Sequence, residues 1–115
     1  MKSTKSLRSR PKKGEIWIAV IPFIDAPGQS KIRPVLVAVD PIDEDVLVIP
    51  ITSAQPRNPF DVPIVHWATS GLLMESCARV SKITVLEQTV LRRKIGTLHR
   101  EDKMSVLHAC KVLFD

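Results

Sequence analysis

The chain has no tyrosine, and aromatic residues fill only 4% of its 115 positions. The core is therefore left to Val, Ile and Leu, which favour strands and close packing. Cysteine is scarce too. Cys77 and Cys110 match no metal-ligand spacing and nothing points to an oxidising compartment, so both are expected as reduced, mostly buried thiols. The three histidines, His66, His99 and His108, are scattered, which argues against a zinc cluster. His66 reads as a sheet residue, His99 as a cap or solvent-facing residue at a helix start, and His108 as helix surface. A Gly-rich phosphate loop, a Gly-x-Ser-x-Gly elbow and a His-Glu-x-x-His pair are all absent, so no cofactor and no metal are expected. No run approaches the ~20 apolar residues of a membrane helix. A cytoplasmic protein with no membrane partner is the expectation.

Positive charge is present, but in one place. Of a formal net charge of +5, all of the excess lies in residues 1–13, where Lys2, Lys5, Arg8, Arg10, Lys12 and Lys13 face no acid. The remainder is within one charge of neutral, so the isoelectric point near 9.6 belongs to this leader. Residues 1–12 read as a disordered leader and residues 13–115 as one domain, long enough for one core. The leader is either a solubilising tail or a salt-sensitive hold on an anionic partner. It is not a signal peptide: Glu15 and Pro22 interrupt the apolar run behind it, and no Ala-x-Ala site follows.

The stretch from Lys31 to Ser53 organises the rest. Val35–Val39 and Val46–Ile51 flank an acidic turn at Asp43, Glu44 and Asp45, which predicts a β-hairpin with a five-residue connection. Antiparallel pairing brings Arg33 and Thr52, at the strand ends far from the turn, to one rim. Around this hairpin, residues 15–23 predict a strand with Ile16, Ile18 and Val20 on one face and Pro22 at its end. Residues 24–32 predict a flexible loop, and residues 54–60 a second loop. Residues 62–67 predict an edge strand carrying Pro63, and residues 76–86 a last long β segment bent near Ser81. Residues 87–94 read as ambiguous, with a helical turn one option and Gly96 a breaker. Residues 100–113 predict a helix whose apolar face holds Val106, Cys110 and Leu113, extended by Leu107 and Phe114. About six short strands and one terminal helix imply a mainly β fold (α+β), a small bent antiparallel sheet or barrel.

The polar residues left over are Lys31, Arg33, Thr52, Ser53, Gln55, Ser76 and Arg79. A guanidinium fork grips phosphate, and hydroxyls and amides orient it. With no activated nucleophile in sight, the set suits a phosphodiester better than a carbonyl substrate. On spacing alone other readings stand beside this one: Arg33 paired with an acid, Thr52 an ordinary strand residue, Ser76 the end of a turn.

Several short pieces occur in order. They are Gly14-Glu15-Ile16-Trp17, Arg33-Pro34-Val35-Leu36-Val37, Ile51-Thr52-Ser53, Gly71-Leu72 with Ser76 after it, and Ile95-Gly96-Thr97-Leu98 before the last helix. With this order and spacing the chain resembles the PemK/MazF family of toxin endoribonucleases from type II toxin–antitoxin pairs, closer to the PemK-like branch. The resemblance implies an SH3-like antiparallel β-barrel with a C-terminal helix, as a homodimer with a cognate antitoxin partner. It implies sequence-specific, metal-independent cleavage of single-stranded RNA, mainly messenger RNA, by 2′-OH attack on the adjacent phosphate. The family's catalytic arginine and threonine fall on Arg33 and Thr52, and its serine after the Gly-Leu turn on Ser76. The family's Gln-Ile-Arg-Thr run is Lys82-Ile83-Thr84-Val85 here, so if that arginine binds RNA, Arg79 or Lys82 must replace it. Two other classes fit the same barrel: a gyrase poison of the CcdB type, and a non-catalytic nucleic-acid-binding or interaction module.

If the leader holds RNA, deleting residues 1–12 will lower the slope of log affinity against log salt for single-stranded RNA, by about 0.7 for each phosphate that the leader neutralises. An unchanged slope assigns the leader to solubility alone.

Overall fold

In a computed structural model, residues 10–22 and 26–115 are described, so most of the basic leader, the last residue of the first predicted strand and two residues of the loop predicted after it lie outside the described residues. Among the described residues, seven strands precede one α-helix. The strands are β1 (Glu15–Pro22), β2 (Ser30–Ile42), β3 (Asp45–Thr52), β4 (Asp61–Pro63), β5 (Cys77–Arg79), β6 (Thr84–Glu87) and β7 (Leu91–Thr97), and the helix is α1 (Arg100–Phe114). Their order across the sheet is β4-β5-β3-β2-β1-β7, with β6 paired to the turn end of β3. Every pairing is antiparallel.

The central hairpin forms, but its connection is tighter than the five residues expected. Ile42 pairs with Asp45, leaving Asp43 and Glu44 as the turn. Asp43 takes a φ of 57°, which aspartate tolerates better than most side chains. Gln88 holds this turn, its side chain donating to the Asp43 carbonyl at 2.7 Å and its backbone N–H to the Glu44 carbonyl at 2.8 Å. Successive residues of β2 and β3 point to opposite faces, and both faces are covered. Leu36, Ile49 and Ile51 pack with Ile16, Leu98 and the helix residues Val106 and Ala109. Val35, Val37, Val46 and Val48 pack with Trp17, Ala19 and Leu91 on the other side. Over residues 35–37 and 46–51 the hairpin strands are continuous apolar runs because both faces are covered there.

The expected barrel is not closed: the sheet is strongly bent, but no pairing among the described residues joins β4 to β7. The gap is bridged instead by a 3-10 turn, Ala68–Ser70, whose end crosses β7. There the backbones touch. A Cβ on Gly71 would lie 2.0 Å from the Ile95 carbonyl oxygen, and one on Gly96 2.0 Å from the Ser70 carbonyl oxygen. Gly71 also carries a φ of 93°. Only two glycines allow this crossing.

Other boundaries differ from expectation for physical reasons. The strand predicted over 62–67 stops at Pro63, because the buried Asp102 carboxylate accepts the N–H groups of Val65 and His66 at 3.0 and 2.9 Å. The chain therefore turns rather than continuing a ladder. The long segment 76–86 is split by a 3-10 turn at Val80–Lys82 into β5 and β6. Residues 91–97 form β7, which runs through Gly96 because that glycine serves the crossing rather than ending an element. The helical face is Asp102, Val106 and Ala109, with Cys110 and Leu113 packed beside it, while Leu107 and Phe114 are exposed. Pro63 does sit on an edge strand, and His99 does cap α1, its Nδ1 accepting the Glu101 N–H at 3.0 Å. Pro11 is buried, and Lys12 and Lys13 donate backbone N–H groups to Glu15 and Asp40.

Glu15 ties the start of the domain to β7. Its carboxylate accepts the Trp17 indole N–H at 2.9 Å and the Lys12 N–H at 2.9 Å, and pairs with the Lys94 ammonium at 3.1 Å. Burial alone pushes this acid up; the three donors together outweigh it and hold the carboxyl below its usual 4.5. A depressed folded-state value means stability that is full above the unfolded value and lost as pH falls through the folded one. Glu15→Gln is expected to cost about 1 kcal/mol at neutral pH. The gap between variant and wild type should shrink as denaturation is measured at successively lower pH below 4.5. A gap independent of pH would show that the charge is not what Glu15 contributes.

Candidate active site

The Val35↔Pro50 register, continued by two residues, sets Arg33 across from Thr52. Arg33 lies inside β2 rather than at its entry, with Ala19 of β1 as its other neighbour. Both line a cavity of about 200 Å³ at the end of the hairpin away from the Asp43–Glu44 turn. Its apolar walls are Ile18, Pro34, Ile51 and Ile95, and the segment Gly71–Met74 closes one side. Its polar groups are Arg33, Thr52, Ser53 and Ser76. Two larger cavities flank α1. One, of about 290 Å³, is walled mainly by aliphatic side chains. The other, of about 450 Å³, holds Asp61, Ser105 and His108, but that carboxylate is already bonded to the Arg57 N–H. At the hairpin rim a guanidinium and three hydroxyls line one cavity.

Each polar group has a definite state. Arg33 is exposed, and no carboxylate pairs with it among the described residues. The Thr52 hydroxyl oxygen accepts the Ala54 N–H at 3.1 Å, which leaves its own proton free to donate. Ala54 is held from its other side by the Cys77 thiol, which donates to the Ala54 carbonyl at 3.7 Å. Burial, and next the Asp61 charge, push that thiol up, with Arg79 partly opposing, so Cys77 stays a donor. The Ser76 hydroxyl donates to the Met74 carbonyl at 2.9 Å and keeps only acceptor capacity.

The remaining expected residues are elsewhere. Lys31 is exposed on β2, opposite Ile21. Gln55 sits on the exposed loop after β3. Arg79 is turned to Asp61, its Nε 3.4 Å from the carboxylate and opposite it in register. Lys82 is exposed on the 3-10 turn after β5. None of the four lines the cavity. Reasoning from sequence passed over Leu73 and Met74, which are 92% and 55% exposed beside the polar groups. The signal was the Gly-Leu-Leu-Met run: two large apolar residues after a turn glycine, with no strand to bury them.

The mostly antiparallel sheet, the single terminal helix and the arginine–hydroxyl rim place the chain among small β proteins that end in one helix. Within that class, the model of the family described as PemK-like, MazF-like toxin of type II toxin–antitoxin systems matches residues 12–114, and the chain belongs to this family. Solved structures agree. The Mycobacterium tuberculosis toxin MazF-mt6 is 26% identical, with a TM-score of 0.68 over 86% of this chain and 96% of that one. An endoribonuclease in complex with its cognate antitoxin, from a mycobacterial species, shares the fold at 15% identity and a TM-score of 0.71, covering 90% and 94%. A MazE–MazF structure from Deinococcus radiodurans does so at 15% identity and a TM-score of 0.75, covering 92% and 97%.

Because the Ser70–Gly71 crossing carries the cavity wall, Gly71→Ala or Gly96→Ala is expected to destabilise by at least about 1–3 kcal/mol. Thermal melting measures this. Wild-type melting in both variants would mean that the two backbones do not touch.

Proposed function

We propose that this chain is an endoribonuclease that cuts single-stranded RNA, messenger RNA above all, at short sequences and without a metal ion. The observation that carries this reading is the unpaired Arg33 guanidinium beside a Thr52 hydroxyl whose proton is free. RNA brings its own nucleophile. The 2′-OH attacks the neighbouring phosphorus, an O2′–P bond forms, and the P–O5′ bond breaks. The 2′ proton is lost, and the departing 5′ oxygen gains one. The products are a 2′,3′-cyclic phosphate and a 5′-OH. Arg33 stabilises the charge on the non-bridging oxygens and hydrogen-bonds the leaving oxygen. Thr52 donates to a non-bridging oxygen. Ser76, an acceptor only, suits a hydroxyl or amino group of the nucleotide. Leu73 and Met74 offer apolar surface to unstacked bases. DNA lacks the nucleophile and is spared. Without a strong general base the reaction is slow, since a positioned acid or base ordinarily contributes about 10²–10⁴-fold.

The same rim explains an antitoxin. An acidic segment laid across it puts carboxylates where RNA phosphates go and competes for Arg33. We place the protein in the cytoplasm as a homodimer, with reduced thiols and messenger RNA at hand. No described helix is long and apolar enough to cross a membrane. A gyrase poison has no use for an unpaired guanidinium beside a free hydroxyl, and a silent binding module would bind RNA at this rim without cutting it.

With EDTA present, wild type is expected to cut a long single-stranded RNA at one short sequence. Arg33→Ala should lose about 10²–10³-fold in rate and Thr52→Ala about 10–100-fold, both read by mapping 5′ ends. Failure of folded wild type to cut diverse RNAs, or full activity in Arg33→Ala, sinks the reading.

A further inference from the structure

Two of the three histidines that sequence distance scatters meet at the start of α1. His66, on the turn after β4, stacks on His99 with ring centroids 3.7 Å apart and planes 19° from parallel. His66 Nε2 lies 2.6 Å from Glu101 Oε1. One donor atom from each of His66, His99 and Glu101 lies within 4.8 Å of the others. His99 and Glu101 are exposed and His66 half-buried, so an ion has access from solvent.

We propose that His66, His99 and Glu101 form a surface site for a divalent ion of the zinc class. Two imidazoles and one carboxylate are a donor set that zinc accepts, with water as fourth ligand. Imidazole selects zinc, nickel or copper over magnesium and calcium. Bonds of about 2.0–2.1 Å put tetrahedral donors about 3.3 Å apart. The His66–Glu101 contact therefore opens slightly and the wider pairs draw in, movements open to the exposed His99 and Glu101 side chains. The backbones on both sides are already fixed. Asp102 accepts the Val65 and His66 N–H groups, and Lys103 N–H donates to the His99 carbonyl at 2.9 Å. Little ordering remains for the ion to impose.

Binding has a structural signature. His99 Nδ1 accepts the Glu101 N–H in the metal-free chain. A neutral imidazole that ligates through one nitrogen carries its proton on the other, so a metal-bound His99 cannot keep that cap bond. The Glu101 amide then turns to solvent. The ion also clasps α1 to the segment that runs from His66 through the glycine crossing to the cavity wall. It stiffens that wall without touching Arg33 or Thr52, and it takes no part in cleavage.

The test is titration of the full chain with Zn²⁺ alone, followed by calorimetry and by amide exchange. Wild type is expected to take up one saturable equivalent per chain, with faster exchange at the Glu101 amide. His66→Gln and Glu101→Gln should each weaken binding at least about tenfold. His99→Asn should do the same while preserving the fold, because asparagine is itself a strong N-cap. Absence of saturable binding in wild type overturns the proposal, as does full affinity in His99→Asn, which would place the ion elsewhere, for example on the thiols. Neither outcome depends on whether the protein cleaves RNA.

Discussion

The structure depends on one buried carboxylate. Asp102, in the first turn of α1, is 2% exposed and accepts two consecutive backbone N–H groups, from Val65 and His66. Those groups are left without ladder partners once β4 ends at Pro63, and leaving them unbonded in the interior would cost about 1–3 kcal/mol each. By taking both, Asp102 turns the chain and docks the helix against the sheet. The turn then tightens on itself, with the Thr69 and Ser70 hydroxyls both donating to the His66 carbonyl. Ser70 and Gly71 emerge pointed at β7, and the wall of the cavity follows from that direction.

The cavity is therefore assembled from two kinds of part. Its floor and two of its polar side chains, Arg33 and Thr52, come from the hairpin, whose middle is buried on both faces. Its far wall comes from a short irregular segment held at three points: Asp102, the glycine crossing and the Ser76–Met74 hydrogen bond. The guanidinium and the Thr52 hydroxyl thus stand on paired strands, and the exposed apolar side chains Leu73 and Met74 on the irregular segment. This arrangement also leaves Arg33 on a strand rather than on a loop, which fixes its backbone position beside Thr52.

Charge is arranged around the same geometry. Glu15 satisfies the Trp17 indole and pairs with Lys94, and Asp61 takes the Arg57 N–H and faces Arg79. These two buried acids, like Asp102, are occupied by nearby donors, and none is paired with Arg33. Among the described residues no ion pair forms on Arg33, although the body of the chain is close to neutral.

Much of this was legible in the residues themselves. The hairpin, the Arg33–Thr52 juxtaposition, the edge position of Pro63, the bend between β5 and β6 and the capping role of His99 all follow from period-two alternation, turn chemistry and helix-end rules. These are local properties, acting over a few residues or across one turn. Four other features were not legible. They are the early end of β4, the strand through Gly96, the Arg79–Asp61 pairing and the His66–His99 stack. Each is a contact between segments far apart in the chain, set by where α1 docks and how the sheet bends, and no local periodicity encodes those. The amino-acid order alone determined the first strand, the central hairpin, the terminal helix and which two side chains share the rim, because period and strand register are local properties. Only the tertiary structure decided which of the remaining polar groups stay free to meet a ligand, because a charge is spent or spared by its neighbours in space.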